Sequence, residues 1–133
     1  MTAIKSTSTI QANKKNAFVA CPVTFVMQKI GGYWKPIILF NLLSGPKRYS
    51  ELKKAIPSIS EKMLIVHLKQ LEADHLLIRR AQKVVPPHVT YALSKEGREM
   101  RKVLYAMAEW AVAHGGRQSR MFGKQMKDFP RAN

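Results

Sequence analysis

The sequence is short of cysteine, of acid and of long apolar runs, and each shortage removes a class of protein. Of 133 residues, one, Cys21, is a cysteine. A single thiol closes no internal disulfide, so a disulfide-braced secreted scaffold is excluded and a reducing, cytoplasmic setting is expected. No stretch reaches the ~18 apolar residues of a membrane-spanning helix; the longest, such as Ile37-Ile38-Leu39-Phe40, are short. Lys5 is followed by no apolar segment of the kind a secretory signal needs. There are 8 acidic residues, and they do not cluster, which leaves no paired carboxylates for acid–base or metal-assisted catalysis. His67, His75, His88 and His114 have no metal-ligand spacing with one another or with Cys21. No nucleophile motif or phosphate-binding loop is visible. An enzyme, a metal site and a bound cofactor are therefore not expected.

What is present is positive charge. Lys and Arg number 23, giving a net charge of +15, well beyond the magnitude of about 2 to 8 that suffices to keep a small domain soluble. Such a chain attracts polyanions, nucleic acid foremost. Residues 1–20 carry +3 and residues 115–133 carry +4, so +8 remains on residues 21–114. The excess is thus built into the body of the chain. The length suits one domain, and 46% hydrophobic residues can bury a modest core that gains from association with a second copy.

Residues 1–20, rich in Thr, Ser, Lys and Asn and without a sustained period, read as a flexible N-terminal arm. Residues 115–133, opened by Gly115-Gly116, read as a basic C-terminal tail, partly helical by the spacing of Met121, Phe122, Gln125, Met126 and Phe129. Between them Pro22 starts a helix that runs to Gly31-Gly32, and a second covers 35–43. Ser50 is placed to cap a short helix over 51–56 that Pro57 stops. Ser60 is placed to cap a longer helix that ends near Asp74. Leu77 to Lys83 and Val89 to Leu93 are strand-like, joined through Pro86-Pro87, and Ser94 caps a last helix over 95–114.

Two helices, a break at Pro57-Ser58-Ile59, a longer helix and a hairpin make the order of a winged helix-turn-helix: mainly α with a small β-hairpin wing. The phase of the longer helix follows from its apolar positions. Leu64, Leu68 and Leu71 share the face that must pack inward, with His67 beside them as a core residue with its polar atoms satisfied. Lys62, Val66 and Lys69 point outward, flanked by Met63 and Ile65. Outward lysines suit phosphate, and Ser60 with the N–H groups of the helix start adds a phosphate site. Ile65 and Val66 suit thymine methyl groups. Arg79, Arg80 and Lys83 lead into the wing and add phosphate contacts.

Residues 21–114 resemble the HxlR-type winged-helix regulators, relatives of the MarR group. The resemblance rests on Cys21-Pro22-Val23, Ile30-Gly31-Gly32 with Trp34-Lys35, Gly45-Pro46 with Tyr49-Ser50-Glu51-Leu52, Ile59-Ser60-Glu61-Lys62-Met63-Leu64, Leu68-Lys69-Gln70-Leu71-Glu72, Val85-Pro86-Pro87-His88-Val89, and Tyr91-Ala92-Leu93-Ser94 with Gly97. It implies a sequence-specific regulator of transcription, acting as a homodimer paired through its terminal helices. Each half-site of double-stranded DNA would take one recognition helix and one wing, so the operator would be an inverted repeat. Four departures stand out. His75 occupies a usual glycine position, His88 stands where the wing often has arginine, and Ile65 and Val66 replace more polar residues. Pro36 and the long basic tail are unusual.

The last helix carries the stripe Met100, Val103, Leu104, Met107, Trp110 and Ala111, wider than so small a domain needs, and Phe25 and Val26 complete the expected dimer interface. Trp34 and Trp110 read as core and dimer anchors. For Cys21, two readings stay open. The resemblance implies a sensor thiol for oxidants, quinones or another small effector, since some similar regulators use a cysteine at the matching position; the residue alone also fits a half-buried structural cysteine. The competing class is an RNA-binding or ribosome-associated basic accessory protein, which the charge and tails fit but which lacks evident surface aromatics for base stacking.

Overall fold

The computed structural model describes residues 21–126. The arm expected over 1–20 and the end of the tail, Phe129 included, lie outside the described residues. Two compact units divide the chain, Met1–Gly32 and Tyr33–Asn133. In the first, α1 (Pro22–Ile30) opens with proline at its first position, where no intrahelical N–H is lost. It closes with the Gly31 N–H bonded to the Met27 carbonyl at 2.7 Å.

In the second unit α2 (Trp34–Leu42) buries Ile38, Leu39 and Leu42. Pro36 falls in its first turn, where the N–H groups have no partner within the helix, so the ring breaks no bond. This helix is the hub: it touches the helices Tyr49–Ala55, Glu61–Ala73 and Arg101–His114 and the strand His88–Leu93. Helix α3 (Tyr49–Ala55) begins two residues earlier than its composition suggests, because the cap is Arg48 and not Ser50. Glu51, three residues on, accepts the Arg48 backbone N–H at 3.0 Å and satisfies the helix start from the other side. At its far end Lys53 donates to the Pro57 carbonyl at 3.0 Å.

Helix α4 (Glu61–Ala73) starts as expected, with the Ser60 hydroxyl accepting the Met63 N–H at 3.2 Å. Its end is set by His75, which sits at φ +61. The His75 N–H bonds to the Glu72 carbonyl and the Leu76 N–H to the Leu71 carbonyl, both at 3.0 Å. This is a Schellman closure, with buried Leu76 and Leu71 forming its apolar contact. Histidine tolerates the left-handed region at some cost, and the paired carbonyls offset it.

The wing follows directly. Strands β2 (Leu77–Gln82) and β3 (His88–Leu93) are antiparallel, with Leu77 opposite Leu93 and Gln82 opposite His88. A third strand, β1 (Lys47–Arg48), adds to the other side of β3. Two residues give no readable alternation, which is why the sequence pattern misses it. Ser94, buried, caps α5 (Lys95–Glu99): its hydroxyl accepts the Gly97 N–H at 3.0 Å and donates to the His75 carbonyl. The expected single helix over 95–114 is in fact broken. Met100, at ψ −10, tightens the turn, and α6 (Arg101–His114) begins beyond it. After a 3-10 turn (Gly116–Gln118), α7 (Ser119–Met126) puts the Phe122 ring on Gly115, where a Cβ would lie 2.8 Å from Cε2. The helical part of the tail therefore folds back on the end of α6.

Ser94 joins the root of the recognition helix, the end of the wing and the start of α5. Ser94→Ala removes a buried cap and takes the hydroxyl donor from the part-buried His75 carbonyl, and should cost about 1–2 kcal/mol. Urea denaturation measures it; a midpoint equal to that of the parent protein contradicts the assignment.

Candidate nucleic-acid interface

The reading surface depends on how α4 is phased. Leu64, Leu68 and Leu71 are between 0 and 1% exposed. Each such side chain contributes about 1.5–3 kcal/mol on burial, so rotating α4 about its axis is prohibitively costly. With that face fixed, Lys62, Met63, Ile65, Val66 and Lys69 are all exposed, and Ser60 is exposed at the helix start. Ile65 at 43% and Val66 at 36% exposure are carried on the surface despite the hydration cost. His67 departs from expectation: it is half-buried and its Nδ1 has no hydrogen-bond partner among the described residues.

The register of the wing sorts its side chains between two faces. Arg79 pairs with Tyr91 and so does Lys47; Ala81 pairs with Val89. These residues share the face toward α4. A cleft of about 540 Å³ lies there, lined by Tyr49, Ile65, Lys69, Glu72, Arg79 and Tyr91 among others. The structure thus brings Ile65, Lys69 and Arg79 to one groove between recognition helix and wing. Among the described residues the Tyr49 hydroxyl has no hydrogen-bond partner. Desolvation, with the Glu61 and Tyr91 charges behind it, raises its pKa above the ordinary tyrosine value. On the opposite face of the sheet Arg80 and Arg48 both pair with Thr90, and Gln82 pairs with His88. Lys83 is exposed in the wing loop.

His88 opens β3, opposite Gln82 and next to the wing loop. Arg48 Nε donates to its Nε2 at 2.9 Å, and Arg48 Nη2 stands 2.6 Å from its Nδ1. Arg48 is the residue of this surface that sequence reasoning missed. The only signal in the sequence is Glu51 three positions on, at capping-box spacing; nothing local announces a partner forty residues away.

The expected dimer stripe is divided by the structure. Val103, Met107 and Trp110 are exposed, Trp110 at 65%, whereas Leu104 is buried and Met100 and Ala111 are half-buried. Trp110 stacks on His114 with ring centroids 4.5 Å apart. On α1 Phe25 is exposed beneath the Lys29 ammonium, 5.6 Å from the ring centroid, and Val26 is half-buried. Cys21 is exposed at the start of α1, against the half-buried structural reading. Its sulfur makes no full capping bond, yet the backbone N–H groups of Thr24 and Val23 lower its pKa.

A helical reader phased by a buried leucine face, a three-stranded wing and a groove between them define a winged helix-turn-helix. Comparison with known proteins narrows the class. Residues 29–119 match the model of the HxlR-like helix-turn-helix family. The HTH-type transcriptional regulator YybR of Bacillus subtilis (strain 168) is 38% identical over 106 residues, spanning 77% of this chain and 85% of YybR. Among solved structures, the redox regulator HypR in its oxidized form superposes with a TM-score of 0.68 at 38% identity, over 71% of this chain and 97% of HypR. Its reduced form gives 0.70 at 36% identity, over 72% and 95%. The chain belongs to the HxlR-like helix-turn-helix family, and it is a transcriptional regulator of the helix-turn-helix type.

The lowered Cys21 pKa has a kinetic consequence. More of the thiol is thiolate at neutral pH, so iodoacetamide should alkylate Cys21 with a pH midpoint below that of free cysteine measured alongside. A midpoint at or above that of free cysteine contradicts the role given to the Thr24 and Val23 N–H groups.

Proposed function

We propose that the protein binds an inverted-repeat operator in double-stranded DNA as a homodimer and that Cys21 tunes this binding in response to oxidants or electrophiles. The observation that carries the DNA reading is the division of α4, with Leu64, Leu68 and Leu71 buried and Lys62, Ile65, Val66 and Lys69 exposed. In this reading α4 enters the major groove. Lys62 and Lys69 contact phosphate, and the Ser60 helix start adds another phosphate site. Ile65, Val66 and Met63 meet base edges, where methyl groups of thymine reward apolar contact. Arg79, Arg80, Lys83 and the His88 region follow the phosphate backbone along the wing. The exposed Val103, Met107 and Trp110 of α6 supply apolar side chains for a second copy, and Phe25 of α1 is a further exposed apolar side chain. Two-fold pairing would set half-sites about one helical turn, or a multiple of it, apart.

Redox sensing draws support from the exposure and lowered pKa of Cys21 and from the likeness to HypR, a redox regulator. As the chain's one cysteine, it has three outcomes open: addition to a quinone, a mixed disulfide with a small thiol, or a bridge to Cys21 of a second copy.

Selection of bound fragments from random duplex DNA tests the main reading. An inverted repeat is expected, bound with an affinity that falls steeply as salt rises. Lys62→Ala and Lys69→Ala should each weaken all sequences alike and lower the salt slope by about 1, while Val66→Ala should change preference at one or two positions. Recovery of RNA or asymmetric ligands overturns it, as does an unchanged salt slope in both lysine variants. Trp110→Ala should yield monomers that lose operator binding, read by light scattering; an intact dimer at dilution contradicts the interface. For the sensor, Cys21→Ser should abolish the response of DNA binding to a quinone; equal responses remove Cys21 from that role.

A further inference from the structure

The tip of the wing is apolar. Residues 83–87 join β2 to β3, and Val84, Val85, Pro86 and Pro87 are all exposed there, Val85 over its whole surface. Single exposed apolar residues are ordinary. A run of them at a tip carries a hydration cost that a folded protein avoids unless the surface has something to meet. We propose that this tip is a wedge that enters the minor groove beside each half-site, parts a base step and bends the operator. The proposal rests on the DNA reading given above.

Three features point the tip at a duplex. The first is charge. Arg79, Arg80 and Lys83 lie on the arm that leads to it, and no acidic residue occurs between Asp74 and Glu96. The apolar tip is thus carried on a purely cationic stem, which suits a partner with phosphate walls and apolar base faces between them. The second is reach. Strand β2 leaves the end of α4 at Leu77 and rises about 17 Å by Gln82. That is about half of the ~34 Å helical turn, the step from the major groove that would hold α4 to the neighbouring minor groove. The minor groove is only about 6 Å wide, so it admits a narrow wedge and not a helix. The third is stiffness. Pro86 and Pro87 hold φ fixed and carry no N–H, so this half of the tip has no backbone donor to keep hydrated. A preset wedge also loses little freedom on insertion. Insertion exchanges the hydration of Val85 for contact with base faces, and parting a step costs least where the duplex is soft. The flank of each half-site should therefore carry a TA or CA/TG step, which deforms most easily.

The test uses the full chain and the duplex recovered by selection, labelled at its two ends so that energy transfer reports bending. The parent protein should bend it by roughly 20–90°. It should also raise the fluorescence of 2-aminopurine placed in the flanking step of each half-site. Val85→Ser removes an exposed side chain and no charge. It should leave the melting temperature, the selected half-site and the salt slope unchanged, and weaken operator binding about three- to tenfold. The bound duplex should then be close to straight, with its 2-aminopurine still quenched. Val85→Phe, a larger wedge, should keep the bend. A duplex bound by the parent protein but as straight as the free one overturns the proposal, as do a bend and a fluorescence change unaltered in Val85→Ser. Binding to phosphatidylserine vesicles that Val85→Ser abolishes while the bend persists would assign the tip to a membrane surface and overturn it as well. Absence of any selective duplex binding removes the DNA reading and the wedge together; selective binding without bending removes the wedge alone.

Discussion

The burial of one leucine face on α4 is the constraint from which the rest follows. Leu64, Leu68 and Leu71 are inaccessible to water, and truncating any one of them would cost about 2–5 kcal/mol. A helix so held has one rotational setting. Every side chain outside the buried face is then assigned its direction by the 3.6-residue period, with no further interaction needed to aim it. The charged and apolar residues of the reader are presented by the core behind them. Helix α2 serves the same end at one remove, because it is the element against which α3, α4, β3 and α6 assemble.

Most of this was legible in the sequence because it is written in local patterns. The apolar period of α4, its Ser60 cap, the Ser94 cap and the two strands are all short-range signals, and they placed the reader and the wing to within a residue or two. What escaped was non-local or too short to carry a period. Strand β1 is two residues long and exists through its pairing with β3. The break at Met100 interrupts a run whose composition is helical throughout. The Arg48–His88 contact spans forty positions, and the half-burial of Leu104's neighbours depends on which side of α6 meets the core. His67, placed by its neighbours on an apolar face, has a nitrogen without a partner, which a periodic pattern cannot foresee.

The charge also takes on a different meaning once it has positions. A net +15 spread evenly would give affinity for any polyanion. Here Lys62 and Lys69 share α4 with the exposed Ile65 and Val66. In the proposed reading, long-range attraction and short-range discrimination are carried by one helix: the lysines act before contact is made, and the apolar pair, exposed at a hydration cost in the free protein, meets a surface on DNA.

The closure of α4 has a mechanical side. The Schellman turn at His75 leads from the end of the helix straight into Leu77 of β2, and Ser94, just past β3, holds the turn by donating its hydroxyl to the His75 carbonyl. Helix and wing root are thus welded at one joint. A torque applied to either is delivered to both, so the helix and the wing root turn as one piece and keep their mutual alignment.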